Sequence, residues 1–552
     1  SGECVVGSDL ASRIAGFVRA CGEQGIASIS AADGEKSTYT RSVTGFSADV
    51  GAVVYPESTE QVRVVVRLAN DGDIPLYPVS IGLNWGYGSR CPSVENAVVV
   101  DLSRMNSIRN ADEVSVKNPV LVIEPGVTQQ QVFDFLEANH PGLTFNVSGA
   151  GTGTSILGNS LERGVGYLGP RREDLFGLEV VTGRGDMLRT GFRRLGEESP
   201  LAHAHPYGLG PMTDGLFFQG NFGIVTSACF RLFPKRPTNV AVSLRLKSDE
   251  QLGEFIDLLA ELKRDGVLHT VTHLANQART HSTLFQLVAA YFSDRCGFTA
   301  EAADAEAAVC LNTVVPDKWA SLAGVSGTRA SVAANIFEIW RRTRKVAGMK
   351  IVSDGMLRIA YAVFDRFRQR RSARFQAAVV SAVLPLHGLA TGRPTDAPID
   401  NLLYKYGALG HLDAERLDES DCGLIFVNPA LPLDGGLVEK VIRDVEKIAS
   451  DAGFELFITL NVEGPTTLVG VINLLFDRSN SEQQRSAQAL AADLLECIHG
   501  YGLSLYRSRV DLMPEITRED DPYWQTIYQL KTVFDPNDII SPGRYNLTKR
   551  TG

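Results

Sequence analysis

At 552 residues the chain is too long for a single hydrophobic core, so two domains are expected, and its 44% apolar and 21% charged content is ordinary for a soluble globular protein. A net charge of −10, from 54 Lys and Arg against 64 Asp and Glu with no long basic run, leaves no electrostatic footprint for nucleic acid. No apolar stretch approaches the roughly 18 residues that span a bilayer, so no membrane segment is expected, and eight cysteines without a CxxC pair argue against a disulfide scaffold or a zinc ribbon.

The opening Ser-Gly-Glu-Cys has neither a basic n-region nor an apolar h-region. A signal peptide is therefore absent or removed, and the compartment (cytoplasmic, periplasmic or secreted) stays open. Asn146-Val-Ser148 and Asn546-Leu-Thr548 are glycosylation sequons by pattern, relevant only to a secreted chain. Residues 8–30 carry a helical period, 53–55 read as a strand, and Ser58-Thr59-Glu60-Gln61 ahead of Val62, Val65, Val66, Leu68 and Ala69 reads as a capped amphipathic helix. Strands follow over 74–79 and 97–101.

Between those two strands lies the most informative stretch of the chain, with glycines at 82, 86 and 88. Closely spaced glycines permit positive φ and leave backbone N–H groups free to converge on an anion such as a pyrophosphate. The stretch is not the dinucleotide fingerprint, because no G-x-G-x-x-G opens a helix and no acidic residue follows about 20 positions later in a βαβ unit. Taken alone, it reads equally well as a Gly-rich surface hairpin.

Residues 121–126 form a strand ending in a turn, Thr128 with Gln131 caps a helix over 129–139, and the Gly- and Thr-rich run 148–155 can bring backbone against a flat ring. Segments 178–182 and 187–190 flank a hairpin turn at 183–186. Pro234-Lys-Arg-Pro237 marks a boundary. Beyond it a strand is expected over 240–246, helices over 250–262, 299–310 and 328–345, strands over 377–384 and 424–427, a Pro- and Thr-rich loop over 388–399, and a helix over 485–499. The fold class is α+β.

Pro78-Val-Ser-Ile-Gly-Leu-Asn-Trp-Gly-Tyr-Gly88 resembles the FAD pyrophosphate loop of the vanillyl-alcohol oxidase and p-cresol methylhydroxylase family. Similar stretches follow in the family's order: Glu124 to Thr128, Leu157 to Tyr167, Pro206 to Pro211, Gly220 to Thr226, and Asp535-Pro-Asn-Asp-Ile-Ile-Ser-Pro-Gly-Arg544. The resemblance covers nearly the whole chain and is strong before 240 and after 500. It implies a two-domain flavoprotein whose FAD-binding domain spans 1–237 and 501–552, with an antiparallel-sheet-plus-helices cap over 238–500. FAD would be held by Pro78, Ile81, Gly82, Leu83, Asn84, Trp85, Gly86, Gly88 and Ser89, then by Pro125, Gly126, Gly149, Ala150, Gly153, Thr154, Ser155, Gly158 and Asn159, and finally by Gly223, Ile224, Val225 and Arg544.

For function, the resemblance implies hydride removal from the benzylic carbon of a small para-substituted phenol through a quinone methide. The electrons would pass to oxygen or to a cytochrome, and a homo-oligomer is compatible with it. Tyr87, Tyr167, Tyr506 and Arg507 match the residues that the family places around the phenolate. Singly each reads as a buried side chain with a satisfied polar tip; in family register they read as a site.

Two departures stand against these matches. Where the oxidase branch carries an Asp five residues before the Ser of its Gly-rich loop, this chain has Ala150, so a base must come from elsewhere or be dispensable. Where many members link the flavin to a His or Tyr of the cap, this chain has Leu424; that implies dissociable FAD, with Cys422, His411 or Cys91 as the candidates for a covalent link. An FAD oxidase or dehydrogenase of a hydroxy acid or another alcohol, and a flavin-binding protein with a degenerate site, remain as alternatives. His269 and His273 have the i, i+4 spacing of a zinc helix and His203 and His205 form an H-x-H, but neither has the carboxylate spacing of a metal site, and no metal is expected.

Overall fold

The computed structural model describes residues 3–29, 38–399 and 414–550. Strands β1 (Ala27–Ile29), β2 (Val50–Tyr55), β3 (Leu76–Val79) and β4 (Ala97–Asp101) form a first sheet in the order β1-β2-β4-β3. β2, β4 and β3 run parallel, and their Val-rich runs are buried on both faces, as parallel strands covered on both sides require. The helix Thr59–Gly72 links β2 to β3. Ser58 Oγ accepts from Gln61 N at 3.2 Å, Gln61 Oε1 accepts from Glu57 N at 2.7 Å, and Val62, Val65, Val66 and Ala69 are buried at helical spacing. Because β3 and β4 are parallel, the Gly-rich stretch between them is a crossover loop and not a hairpin.

Next come β5 (Val120–Ile123), β6 (Leu143–Thr144), β7 (Leu175–Thr182), β8 (Met187–Arg189), β9 (Gly223–Arg231) and β10 (Phe233–Pro234). β6 pairs with β10, and the others form an antiparallel sheet in the order β5-β9-β7-β8, in which β7–β8 is the hairpin around 183–186. Thr128 Oγ1 accepts from Gln131 N at 3.1 Å at the head of the helix Gln129–Asn139. The end of the chain returns to the first sheet: Leu76 N donates to Ile539 O at 2.6 Å and Ser541 N to Leu76 O at 2.7 Å. The buried Lys531 ammonium pins that return, holding Ile540 O at 2.6 Å and Asp535 at 2.7 Å.

The remaining strands build one antiparallel sheet of eight: β11 (Thr238–Leu246), β12 (Thr272–Asn276), β13 (Trp319–Gly327), β14 (Ala347–Val352), β15 (Cys422–Pro432), β16 (Phe457–Val462), β17 (Thr467–Asp477) and β18 (Ser504–Arg507). Their order is β14-β11-β13-β12-β16-β17-β15-β18. Strand periodicity sorts the side chains. Ile425, Val427, Ile458, Leu460, Ile472 and Leu474 join one core with the helices Leu252–Arg264, Gly435–Asp451 and Ser481–Gly500. The alternate residues, among them Phe426, Asn428, Thr459, Asn461 and Asn473, face a cavity. Together the sheets and helices make a two-domain fold of the α+β class.

Several expectations are corrected. Residues 377–384, expected as a strand, lie inside the helix Arg371–Ala390, which also takes up the first residues of the loop expected from 388. Val379, Val380 and Val383 favour a strand locally, but Phe375, Ala378, Val379 and Ala382 bury themselves at helical spacing against the helices Gln277–Cys296 and Ala300–Val314, and packing overrides propensity. This 20-residue helix, with a mean hydropathy of 1.2 over its 18-residue window, is also an apolar stretch of membrane-spanning length, contrary to expectation; half of that window is buried inside the protein. His269 and His273 share no helix, since His273 lies on β12. The sequon residues Asn146 and Asn546 are each 1% exposed, with side-chain bonds to Asp174 at 2.8 Å and Asn221 at 3.1 Å, so neither presents its amide to a modifying enzyme.

Candidate active site

A cavity of about 780 Å³ runs between the Gly-rich loop, the small-residue stretch 148–159 and the inner face of the eight-stranded sheet. Of the residues expected to hold FAD, all line it except Gly86, Gly88, Gly126 and Gly153. Gly86 instead lets the loop close on β15, where Phe426 N donates to Gly86 O at 3.3 Å. At its φ of +75° a Cβ would sit 2.5 Å from the Phe426 ring, so only glycine fits there.

The loop suits a pyrophosphate. The backbone N–H groups of residues 82 to 86 find no acceptor among the described residues, and on the same wall Trp85 Nε1 and Ser148 Oγ are buried without partners. At Gly158 a Cβ would meet Ser80 Oγ at 2.3 Å, so glycine lets this stretch pack directly against the residue that leads into the Gly-rich loop.

At the end of the cavity formed by β15 and β18, residues far apart in sequence converge. β15 pairs with β18 through a register shift at Asn428–Pro429, which brings Arg507 opposite Asn428. The Arg507 guanidinium lies 3.9 Å over the Tyr87 ring. Its Nη2 donates to Asn84 Oδ1, and Asn428 Nδ2 donates to Tyr87 Oη. Burial pushes the Tyr87 phenol up, with Arg507 opposing, so the phenol keeps its proton at neutral pH and can donate it in a hydrogen bond. Glu162 is the carboxylate among the described residues lining the cavity; it pairs with Arg544 at 2.5 Å and Arg507 at 3.6 Å. Burial alone would raise its carboxyl, but these guanidiniums hold it below the usual range. Tyr506 lines the same end, where its Oη donates to Arg163 O at 2.8 Å.

Tyr167 stands apart from this group. Its ring packs on His273 at 4.2 Å between centroids, and burial pushes its phenol up to about 12. His273 and Arg279 beside it are lining residues that sequence reasoning missed. The i, i+4 spacing drew His273 into an imagined helix, whereas a polar residue alternating with Leu274 on a buried strand is the signal that would have found it. Asn461 Oδ1 accepts from His273 Nδ1 at 2.7 Å, which leaves Nε2 buried, unpartnered and able to accept.

Burial pushes His273 from 6.5 down to about 4. The unfolded chain takes up that proton at higher pH than the folded one, so stability should fall as the pH drops from 6.5 through 4. His273→Gln should flatten the dependence of melting temperature on pH in this window; superimposable profiles would show that His273 does not govern it.

Comparison with known proteins fits this geometry. Residues 50–191 match the FAD binding domain family. The chain is 28% identical to 1'-carboxy-chondrochloren decarboxylase of Chondromyces crocatus over 90% of each chain. It is 26% identical to the flavoprotein subunit of 4-cresol dehydrogenase (hydroxylating) of Pseudomonas putida, over 89% of this chain and 87% of that one. The crystal structure of p-cresol methylhydroxylase with substrate bound shares the fold, with a TM-score of 0.79 at 23% identity over 99% of this chain and 98% of that one. The chain is an FAD-dependent oxidoreductase that is similar, over nearly its whole length, to a 4-cresol dehydrogenase flavoprotein subunit and to p-cresol methylhydroxylase.

The two positions singled out in the sequence as departures, Ala150 and Leu424, both line the cavity. Ala150 lines the cavity with its carbonyl accepting from Thr154 Oγ1 at 2.5 Å, and it brings no carboxylate. Leu424 lines the cavity too, while Cys422, two residues before it, packs in a cluster with Val43 and Leu417 and does not reach the lining. His411 lies outside the described residues.

Proposed function

We propose that this flavoprotein oxidises a para-substituted phenol at its benzylic carbon. The observation that carries the reading is the Arg507 guanidinium 3.9 Å over the Tyr87 ring, a fixed positive charge beside a phenolic donor. A substrate phenol received there is drawn toward its phenolate by Arg507, and electron release from a phenolate weakens the benzylic C–H bond. FAD, when bound, supplies the acceptor for the hydride. Tyr87 keeps its proton available because its oxygen already accepts from Asn428, whereas Tyr506 must first release the Arg163 carbonyl. In this reading residues 1–237 and 501–552 serve the cofactor and 238–500 cover the substrate, with β18 joining the covering sheet and bringing Tyr506 and Arg507 to the substrate.

The name of the Pseudomonas putida relative, a 4-cresol dehydrogenase, supports a small aromatic substrate. The Chondromyces crocatus relative is named a decarboxylase, and it favours a second reading in which the phenol's side chain carries a carboxylate that is lost. Anaerobic mixing of the yellow protein with a panel of substrates tests the first reading. Para-alkylphenols should bleach the flavin and hydroxy acids should not; bleaching by hydroxy acids alone would overturn it.

We also propose that FAD is held without a covalent bond. Leucine cannot form one at 424, and burial pushes the Cys91 and Cys422 thiols up to about 12, so neither is a thiolate nucleophile at neutral pH. Acid precipitation should release the yellow colour into the supernatant. Flavin fluorescence that stays with the protein band on a denaturing gel would contradict this.

A further inference from the structure

We propose that the substrate carries a carboxylate on its side chain and that Arg279 receives it. The inference rests on the phenol reading only for where the other end of the substrate lies. Arg279 enters the cavity from the first turn of the helix Gln277–Cys296, directly after β12.

The other cations of the lining each have a carboxylate in their field. Arg507 and Arg544 share Glu162, which also feels Arg163, and Arg245 pairs with Asp317 at 3.2 Å, a residue that also acts on Lys350. Arg279 has no carboxylate and no side-chain hydrogen bond among the described residues; the titratable group acting on it is the Tyr167 phenol. Burial lowers its pKa, as expected of a cation set into the protein with no carboxylate beside it, and its side chain stays partly open to the cavity. A guanidinium left this way in a ligand cavity calls for an anion, and its planar fork matches a carboxylate.

Its surroundings point the same way. His273 is held neutral and adds no competing charge, and its buried Nε2 has no partner among the described residues and belongs to the same cavity lining. In the sheet, β16 and β17 lie between β12 and β15, and the register carries His273 through Asn461 and Val469 to Ala430, so Asn428 lies three strand spacings across, about 14 Å, and two residues along the strand. Less the reach of the side chains, that span suits a para-hydroxyphenyl ring at Arg507 with a short carboxylate-bearing chain extending toward Arg279.

The test compares para-hydroxyphenylpropanoate, its methyl ester and para-propylphenol, binding each anaerobically to the wild-type holoenzyme and to Arg279→Gln and Arg279→Lys, with the flavin spectrum as readout. Wild type should bind the carboxylate roughly 10- to 100-fold tighter than the ester or the alkylphenol. Arg279→Gln should lose that advantage while binding para-propylphenol unchanged, and Arg279→Lys should restore part of it. Equal binding of acid and ester by wild type would overturn the inference, as would a loss in Arg279→Gln that is the same for acid and alkylphenol. If phenols fail altogether but phenylpropanoate without the hydroxyl perturbs wild type and not Arg279→Gln, the Arg279 site stands and the phenol reading falls.

Discussion

Arg507→Ala should slow reduction of the flavin by a phenol roughly 10- to 100-fold, because a charge-assisted contact to a developing phenolate is worth about 1.5–3 kcal/mol. FAD content should change little. The reason lies in how the charges are shared: Glu162 keeps Arg544 at 2.5 Å, so removing Arg507 leaves no buried carboxylate without a partner. Tyr506→Phe should have the smaller effect of the two, since its hydroxyl is committed to the Arg163 carbonyl at 2.8 Å. Rapid mixing of each variant with para-ethylphenol under anaerobic conditions measures both. Unchanged rates in both variants would move the substrate away from phenols.

Ala150→Asp should raise the hydroxylated fraction of product and lower stability at once. Among the described lining residues the carboxylate is Glu162, and it is held in ion pairs, so nothing at position 150 activates water. A quinone methide made from para-ethylphenol should then lose a second proton and leave largely as the vinylic phenol. An Asp at 150 would come next to Gly151, where a Cβ would already meet Asp396 Oδ1 at 3.0 Å, so a second carboxylate there costs several kcal/mol and has a raised pKa. Product ratios by chromatography, with melting temperatures alongside, check both halves. Fully hydroxylated product from the wild type, with the variant changing stability alone, would assign the base elsewhere, and His273 Nε2 is the unpartnered acceptor nearest to that role.

Local signals carried much of the fold. Ser58 and Thr128 cap the helices that their spacing announces, and the Gly183–Asp186 turn makes its hairpin, because caps and turns are settled by residues a few positions apart. The helix Arg371–Ala390 was not legible: its valines favour a strand, and what decides the matter is a helical face packed against two other helices. At the site, Tyr87 and Arg507 could be paired only through resemblance, since the β15–β18 register that joins them spans the whole chain. Arg279 was invisible for a different reason, because having no counterion is a property of the folded neighbourhood and leaves no mark in sequence.

The most direct test of the central claim is the rate of anaerobic flavin bleaching by para-ethylphenol carrying deuterium at the benzylic carbon, at the terminal methyl or on the ring. Deuterium at the benzylic carbon should slow bleaching several-fold and the other two should leave it unchanged. Bleaching at the same rate with all three, or none with any, would contradict benzylic oxidation at this site.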